Sequence, residues 1–236
     1  MITTRIALMT ALLSAAALLI VERSDAGAAA TSGNLSTTSW QPLLQSDTAS
    51  AWRGWTSADL PAGWRVTEGV LSKEGRVEDL VTRETFTNFE LELEWKSGKA
   101  GNSGVFYHGT HQYDHIYWSA PEYQLLDDAN APDGHNRLTS AGAAYALYGA
   151  PAGIAAPFDH WNTTRIIVNG SHVEHWLNGK KVVSYELWSD DWKAKVAASK
   201  FVDYPGYGQA TVGLIGIQGD HDGTLAIRNI RIRRLP

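Results

Sequence analysis

The chain contains no cysteine. Disulfides, thiolate metal sites and cysteine nucleophiles are therefore excluded, and the fold must be held by its own packing. It has no basic run either, and its formal net charge is -5. Nucleic acid and anionic membrane surfaces are poor partners for such a chain. There is no hydrolase nucleophile elbow, P-loop or dinucleotide fingerprint, and no repeat of fixed period or long linker. His108, His111 and His115 are spaced too irregularly for a zinc site.

What is present begins with an address. Arg5 precedes an almost unbroken apolar run, Ile6–Val21, and Ala26-Gly27-Ala28 or Ala28-Ala29-Ala30 offers small residues for cleavage. A membrane helix is the alternative, but the run is slightly short for a span, and Glu22, Arg23 and Asp25 follow at once. Residues 1–30 are expected to be a signal peptide, residues 31–39 a Ser/Thr-rich mobile leader, and residues 40–236 one domain. The protein is expected to be exported, periplasmic or secreted, with no membrane span; no oligomeric state is implied.

Beyond residue 40 the chain reads as short strands between Gly, Asn, Asp and Pro punctuation. Phe89–Trp95 is the cleanest: Phe89, Leu91, Leu93 and Trp95 form one face, Glu90, Glu92 and Glu94 the other. Hairpins are expected at Glu68-Gly69, Asn169-Gly170 and Asn178-Gly179. The second would set Arg165 opposite Glu174. Across the third, Val173, His175, Leu177 and Val182 share one face, and Glu174, Trp176, Val183 and Tyr185 the other. Gly98–Gly104 reads as a turn. One helix is expected over Asp190–Ala198, with Ser189 as its N-cap and two aspartates at the positive end of its dipole. Many short strands predict an all-β jelly roll of two packed antiparallel sheets with one short helix.

Ten tryptophans are many for this length. Trp55, Trp64 and Trp95 are assigned to the core; Trp118 and Trp176 are candidates for a cleft, where flat rings stack on sugars. By parity, Tyr123 and Leu125 face the core while Glu122 and Gln124 face outward, and Ile215 and Ile217 face inward while Gln218 faces outward. Glu94, Glu122, Gln124, Glu174 and Gln218 are expected to converge on one groove, and carboxylates on such a groove suit acid–base work on sugars. Glu122 stands out, because the rigid Ser119-Ala120-Pro121 approach feeds it into a strand. His175 falls on the core face. His221 lies in a Gly-rich loop between Asp220 and Asp222, either of which could orient it. That loop also offers oxygens to a divalent cation, although its spacing matches no metal motif; no other cofactor is expected. Lys200, after the helix, is either an acid–base group or a surface lysine.

Several runs, taken in order, resemble one family. They are Trp64–Leu71, Asn88–Leu91, Glu94-Trp95-Lys96, Gly101–Tyr107, Pro121-Glu122-Tyr123-Gln124, Trp161-Asn162, His172–Gly179, Ser199-Lys200-Phe201, Gly216-Ile217-Gln218 and Arg228-Asn229-Ile230. Over Trp40–Leu235 the chain is similar to the 3-keto-disaccharide hydrolase domain family. The resemblance implies a concanavalin-like (LamG-like) jelly roll that cleaves glycosides already oxidised at C3. A base would take the C2 proton, the C1 aglycone would leave, and water would add back. Glu122 is the expected base, and His221 or Lys200 the acid or enolate stabiliser. Glu94, Asn102, Tyr107, Trp118, Gln124, Glu174, His175, Trp176, Gln218 and Asp220 would hold the sugar. Two features depart from the family pattern: Gly219 interrupts its Gln-Asp-His-Gly run, and the polar loop Asp133–Leu138 could remodel the cleft. The rival readings are a non-catalytic carbohydrate-binding module and a conventional glucanase on the same fold.

Overall fold

A computed structural model describes residues 39–236. The expected signal peptide and nearly all of the expected leader lie outside the described residues. The strands in chain order are β1 (Gln41–Pro42), β2 (Trp52–Gly54), β3 (Trp64–Thr67), β4 (Val70–Glu74), β5 (Leu80–Thr82) and β6 (Phe89–Ser97). They continue with β7 (Asn102–Gly109), β8 (Glu122–Leu126), β9 (Asn162–Asn169), β10 (His172–Leu177), β11 (Lys180–Glu186), β12 (Leu214–Ile217) and β13 (Thr224–Arg234). The α-helix α1 spans Asp190–Ala197. The Ser189 hydroxyl caps it by accepting the Trp192 N–H, as a serine before an acidic first turn should.

Two antiparallel sheets pack face to face. The eight-stranded sheet runs β11-β10-β9-β6-β13-β4-β3, with β1 on β13; the five-stranded sheet runs β2-β5-β12-β7-β8. Period-two alternation sends Phe89, Leu91, Leu93 and Trp95 of β6 into the space between them. There they meet Val105, Tyr107, Tyr123, Leu125, Ile215 and Ile217 from the smaller sheet. Trp55, Trp64 and Trp95 are buried. Glu90 and Glu92, on the outer face of β6, pair with Arg233, Arg231 and Arg165.

Local signals located most strands, but the structure departs from expectation in three places, two of them in register. Glu68-Gly69 and Asn178-Gly179 turn as read, with both residues of each pair at positive φ. At the β9–β10 hairpin Asn169 remains in the strand opposite His172, and Gly170 (φ 62°) with Ser171 makes the turn. Arg165 therefore faces Trp176 rather than Glu174, which sits opposite Ile167. Between β10 and β11 the register shifts, so that Lys181 pairs with Trp176 but Val183 pairs with His175. Val182 is the extra residue of a bulge, and one inserted residue exchanges the faces of everything after it. Val183 and Tyr185 thus join the core instead of the outer face. Finally, the turn expected over Gly98–Gly104 is shorter, because Asn102 already belongs to β7.

Candidate active site

The site is built where β8 lies along β7 at the edge of the smaller sheet, with Gly104 opposite Gln124 and Phe106 opposite Glu122. Tyr123 and Leu125 enter the core, so Glu122 and Gln124 emerge on the other face. That face is not open to water. Glu122 is only 8% exposed and Gln124 1%, because loops from 127–150, 199–207 and 218–223 fold over it. The resulting cavity of about 300 Å³ is lined by Asn102, Tyr117, Glu122, Gln124, Asp133, Tyr145, Lys200, Phe201, Tyr204, Gln218, Asp220 and His221.

Glu122 lies across Gly104. A β-carbon at residue 104 would sit 2.0 Å from Glu122 Oε1, so the glycine makes room for the carboxyl. Burial pushes the Glu122 carboxyl up to about 8. Lys200 opposes that shift, while Asp220, Asp79 and Asp133 reinforce it; no hydrogen bond contributes. Gln124 donates its amide to Asn102 Oδ1 at 3.0 Å, which leaves Gln124 Oε1 without a partner. Gln218 Oε1 and Asp220 Oδ1 are likewise buried without a hydrogen bond, Asp220 Oδ1 lying 3.9 Å from His221 Nε2. Buried polar atoms normally find a partner, and these acceptors are left for a ligand that brings donors.

The 218–223 loop is fastened from beneath. Buried Lys73 donates to His221 O at 2.7 Å and Gly75 O at 3.0 Å, and burial lowers the affinity of this amine for its proton. Asp79 accepts the Gly219 N–H at 2.7 Å, and Gly219 O accepts from Val77 N. The residue that interrupts the Gln-Asp-His-Gly run is thus built into the loop's anchorage. Burial raises Asp79 to about 6, against the hydrogen bond from Gly219 and with the help of Asp220. Lys200 is exposed on the 3-10 turn Lys200–Asp203, with its ammonium 4.4 Å from the Tyr145 ring centroid. Behind that turn the rings of Phe201, Tyr207, Trp192, Tyr185 and Tyr148 form a nearly parallel column, whose interplanar angles are 9°, 7°, 8° and 8°. The column ties the turn to α1 and β11.

Of the residues singled out in the sequence, Glu122, Gln124, Asn102, Lys200, Gln218, Asp220 and His221 share this cavity. Trp118 stands one layer back, stacked on Tyr204 with centroids 5.7 Å apart. Five others are elsewhere, which corrects the expectation of a single groove. Glu94 lies on the outer face of the eight-stranded sheet, bonded to Arg228 and Asn229. Glu174 and Trp176 lie on that face too, where Glu174 bonds Lys181, His172 and the Trp176 indole. The physical reason is topological: β6 and β10 belong to one sheet and β8 to the other. Tyr107 and His175 lie between the sheets. His175 Nδ1 meets Gly142 O at 3.0 Å, its Nε2 meets the Tyr107 hydroxyl, and that hydroxyl meets Tyr185. Burial lowers His175 to about 4, so its ring is neutral.

A larger groove, of about 710 Å³, runs over the outer sheet face past Glu92, Glu94, Arg165, Trp176 and Arg231. Its carboxylates are all paired with cations. The smaller cavity holds the unpartnered acceptors and the raised carboxyl, and these make it the candidate chemical site. Asp79, Lys73, Tyr117, Tyr145 and Tyr204 were not found from the sequence, since none carries a local signal. Asp133 is marked in the sequence only by its polar loop. Among the described residues no group of three or more His, Asp or Glu is arranged to hold a metal ion.

Comparison with known proteins bears on the family and the fold. The family model described as "3-keto-alpha-glucoside-1,2-lyase-like domain" matches residues 39–233. A curated 3-keto-disaccharide hydrolase of Bacteroides thetaiotaomicron is 33% identical over 226 residues, covering 82% of this chain and 77% of that protein. A crystal structure of a candidate glycosyl hydrolase from Parabacteroides distasonis ATCC 8503 superposes with a TM-score of 0.78 at 32% identity, over 84% of this chain and 94% of that one. A second from the same organism gives 0.67 at 28% identity, over 84% and 100%.

Proposed function

Because the chain belongs to the 3-keto-alpha-glucoside-1,2-lyase-like domain family, we propose that it cleaves glycosidic bonds of 3-keto-glycosides in the cavity around Glu122. It is a glycoside hydrolase-like enzyme, and the observation that carries the finer reading is the Glu122 carboxyl. This group is buried, without a hydrogen bond, and raised to about 8, close to the pKa that suits a general base near neutral pH.

The reaction follows from the ketone. A carbonyl at C3 acidifies the C2 proton. Ionised Glu122 takes that proton, and the electron pair moves through C2=C3 onto the C3 oxygen as an enolate. The enolate collapses to re-form the ketone, a C1=C2 double bond appears, and the C1–O bond breaks. The departing oxygen takes a proton from an acid. Water then adds at C1 with a proton returned to C2, so the sum is hydrolysis. Lys200 is the cation suited to the enolate oxygen or the leaving group, and its charge already acts on Glu122. His221, 3.9 Å from Asp220, is the other candidate acid. Gln124, Gln218 and Asp220 supply acceptors for sugar hydroxyls, and Asn102 holds the Gln124 amide in place. The N-terminal apolar run, followed by small residues suited to cleavage, supports export.

The test offers the purified protein an intact disaccharide and its 3-keto form. Cleavage of the oxidised sugar alone is expected. Cleavage of the intact sugar would make the protein a glucanase, and binding of either without turnover would make it a carbohydrate-binding module.

A further inference from the structure

The polar cavity shares two wall residues, Phe201 and Tyr204, with a second groove of different character. This groove, about 410 Å³, is lined mainly by Trp188, Val196, Val202 and Tyr207, with Lys193 and Gln209 as its polar members. One short turn serves both: Lys200 stands over the polar cavity, and Val202 faces the apolar groove. Val202 is 58% exposed, more than any other large hydrophobic side chain among the described residues. Trp188 adopts φ 63°, a region that bulky residues enter only at a cost. Its indole N–H is pinned to Gly208 O at 2.6 Å, and the partly buried ring lines the groove. A strained, anchored indole and an uncovered valine beside a reactive cavity form a surface suited to a flat apolar group.

We propose that this groove is the leaving-group subsite, and that it selects 3-keto-glycosides whose aglycone is aromatic. The inference rests on reading the polar cavity as the sugar site. A sugar held by Gln124 and Gln218 with C2 towards Glu122 has its C1 substituent to place. The Phe201–Tyr204 wall is where the lining changes from carboxylates and amides to rings. Lys193 and Gln209 are polar members of the lining, but Trp188, Trp192, Val196, Val202 and Pro205 dominate it and offer little to a second sugar's hydroxyls; an aryl group would cover that apolar surface and lose only water.

The experiment compares ethyl and 2-phenylethyl 3-keto-glucosides, whose leaving alcohols are of similar acidity, so that differences report binding rather than leaving-group chemistry. In the wild type, kcat/KM is expected to favour the phenylethyl compound by about ten- to hundred-fold, as burying a phenyl ring implies. Val202→Asp puts a charge on the groove without touching the polar cavity. It should reduce that preference to within ~3-fold and leave the ethyl compound unaffected. Equal rates for the two compounds in the wild type, or equal slowing of both by Val202→Asp, would overturn the subsite. Tryptophan fluorescence titrated with 2-phenylethanol alone decides the groove independently of turnover. Saturable quenching that weakens in Val202→Asp supports it, and no binding overturns it. Should neither glycoside be cleaved, the assigned reaction falls, while the titration still judges the groove.

Discussion

Replacing Glu122 by glutamine separates the cost of this residue from its use. In the folded chain burial holds the carboxyl at about 8, whereas in the unfolded chain it titrates at its ordinary value of 4.5. Between those values the unfolded chain releases a proton that the folded chain keeps. A raised folded pKa contributes stability fully below pH 4.5, and that contribution is lost as pH rises towards 8. The loss is about 1.4 kcal/mol per pH unit, so from pH 5 to pH 7.5 the wild type loses roughly 3 kcal/mol that the non-titrating glutamine keeps. For a domain of this size 1 kcal/mol moves Tm by roughly 2–4 °C, so Tm of Glu122→Gln minus Tm of the wild type should grow by roughly 6–12 °C over that range. Any fixed effect of packing an amide against Gly104 cancels, because only the change with pH is read. Thermal unfolding of both proteins in matched buffers is the assay. Turnover of a 3-keto-glycoside should meanwhile fall by about 10² to 10⁴, the usual cost of a lost general base. A difference in Tm that stays constant with pH would show that Glu122 ionises normally, and the argument from burial would be wrong.

Other outcomes follow from the same geometry. The wild-type kcat/KM should rise with pH through about 8 as Glu122 ionises, and Lys200→Met should move that rise to higher pH by removing the cation that favours the carboxylate; a rise centred near 4.5 would refute it. Gly104→Ala places a methyl 2.0 Å from Glu122 Oε1. It should displace the carboxyl and cost about 1–3 kcal/mol of stability together with most of the activity; an active variant with unchanged Tm would mean the carboxyl does not lie there. In heavy water the released 3-keto sugar should carry deuterium at C2 in early product, measured against an enzyme-free control. An oxocarbenium route never touches that hydrogen, so early product without deuterium, joined to no isotope effect from C2-deuterated substrate, would exclude elimination.

Much of the scaffold is legible in local sequence, because the signals are local. Alternation over Phe89–Trp95 sets the two faces of β6, and positive-φ pairs at Glu68-Gly69 and Asn178-Gly179 make two hairpins. Ser189 before Asp190 and Asp191 starts the helix. The parity that turns Tyr123 inward also puts Glu122 and Gln124 together on the opposite face, so the heart of the candidate site could be read from five residues of β8. Tertiary structure alone decided the rest. Alternation says which side chains share a face of a strand but not which sheet the strand joins, and sheet membership separates Glu94, Glu174 and Trp176 from Glu122. A one-residue bulge at Val182 leaves no mark in the residue pattern, yet it carries Tyr185 into the core to meet Tyr107. The ionisation of Glu122 and Asp79 depends on solvent removed by loops that fold back from distant parts of the chain, on neighbouring carboxylates, and for Asp79 on the backbone N–H of Gly219. Identity of the acid was written in the sequence; its proton affinity is a property of the cavity.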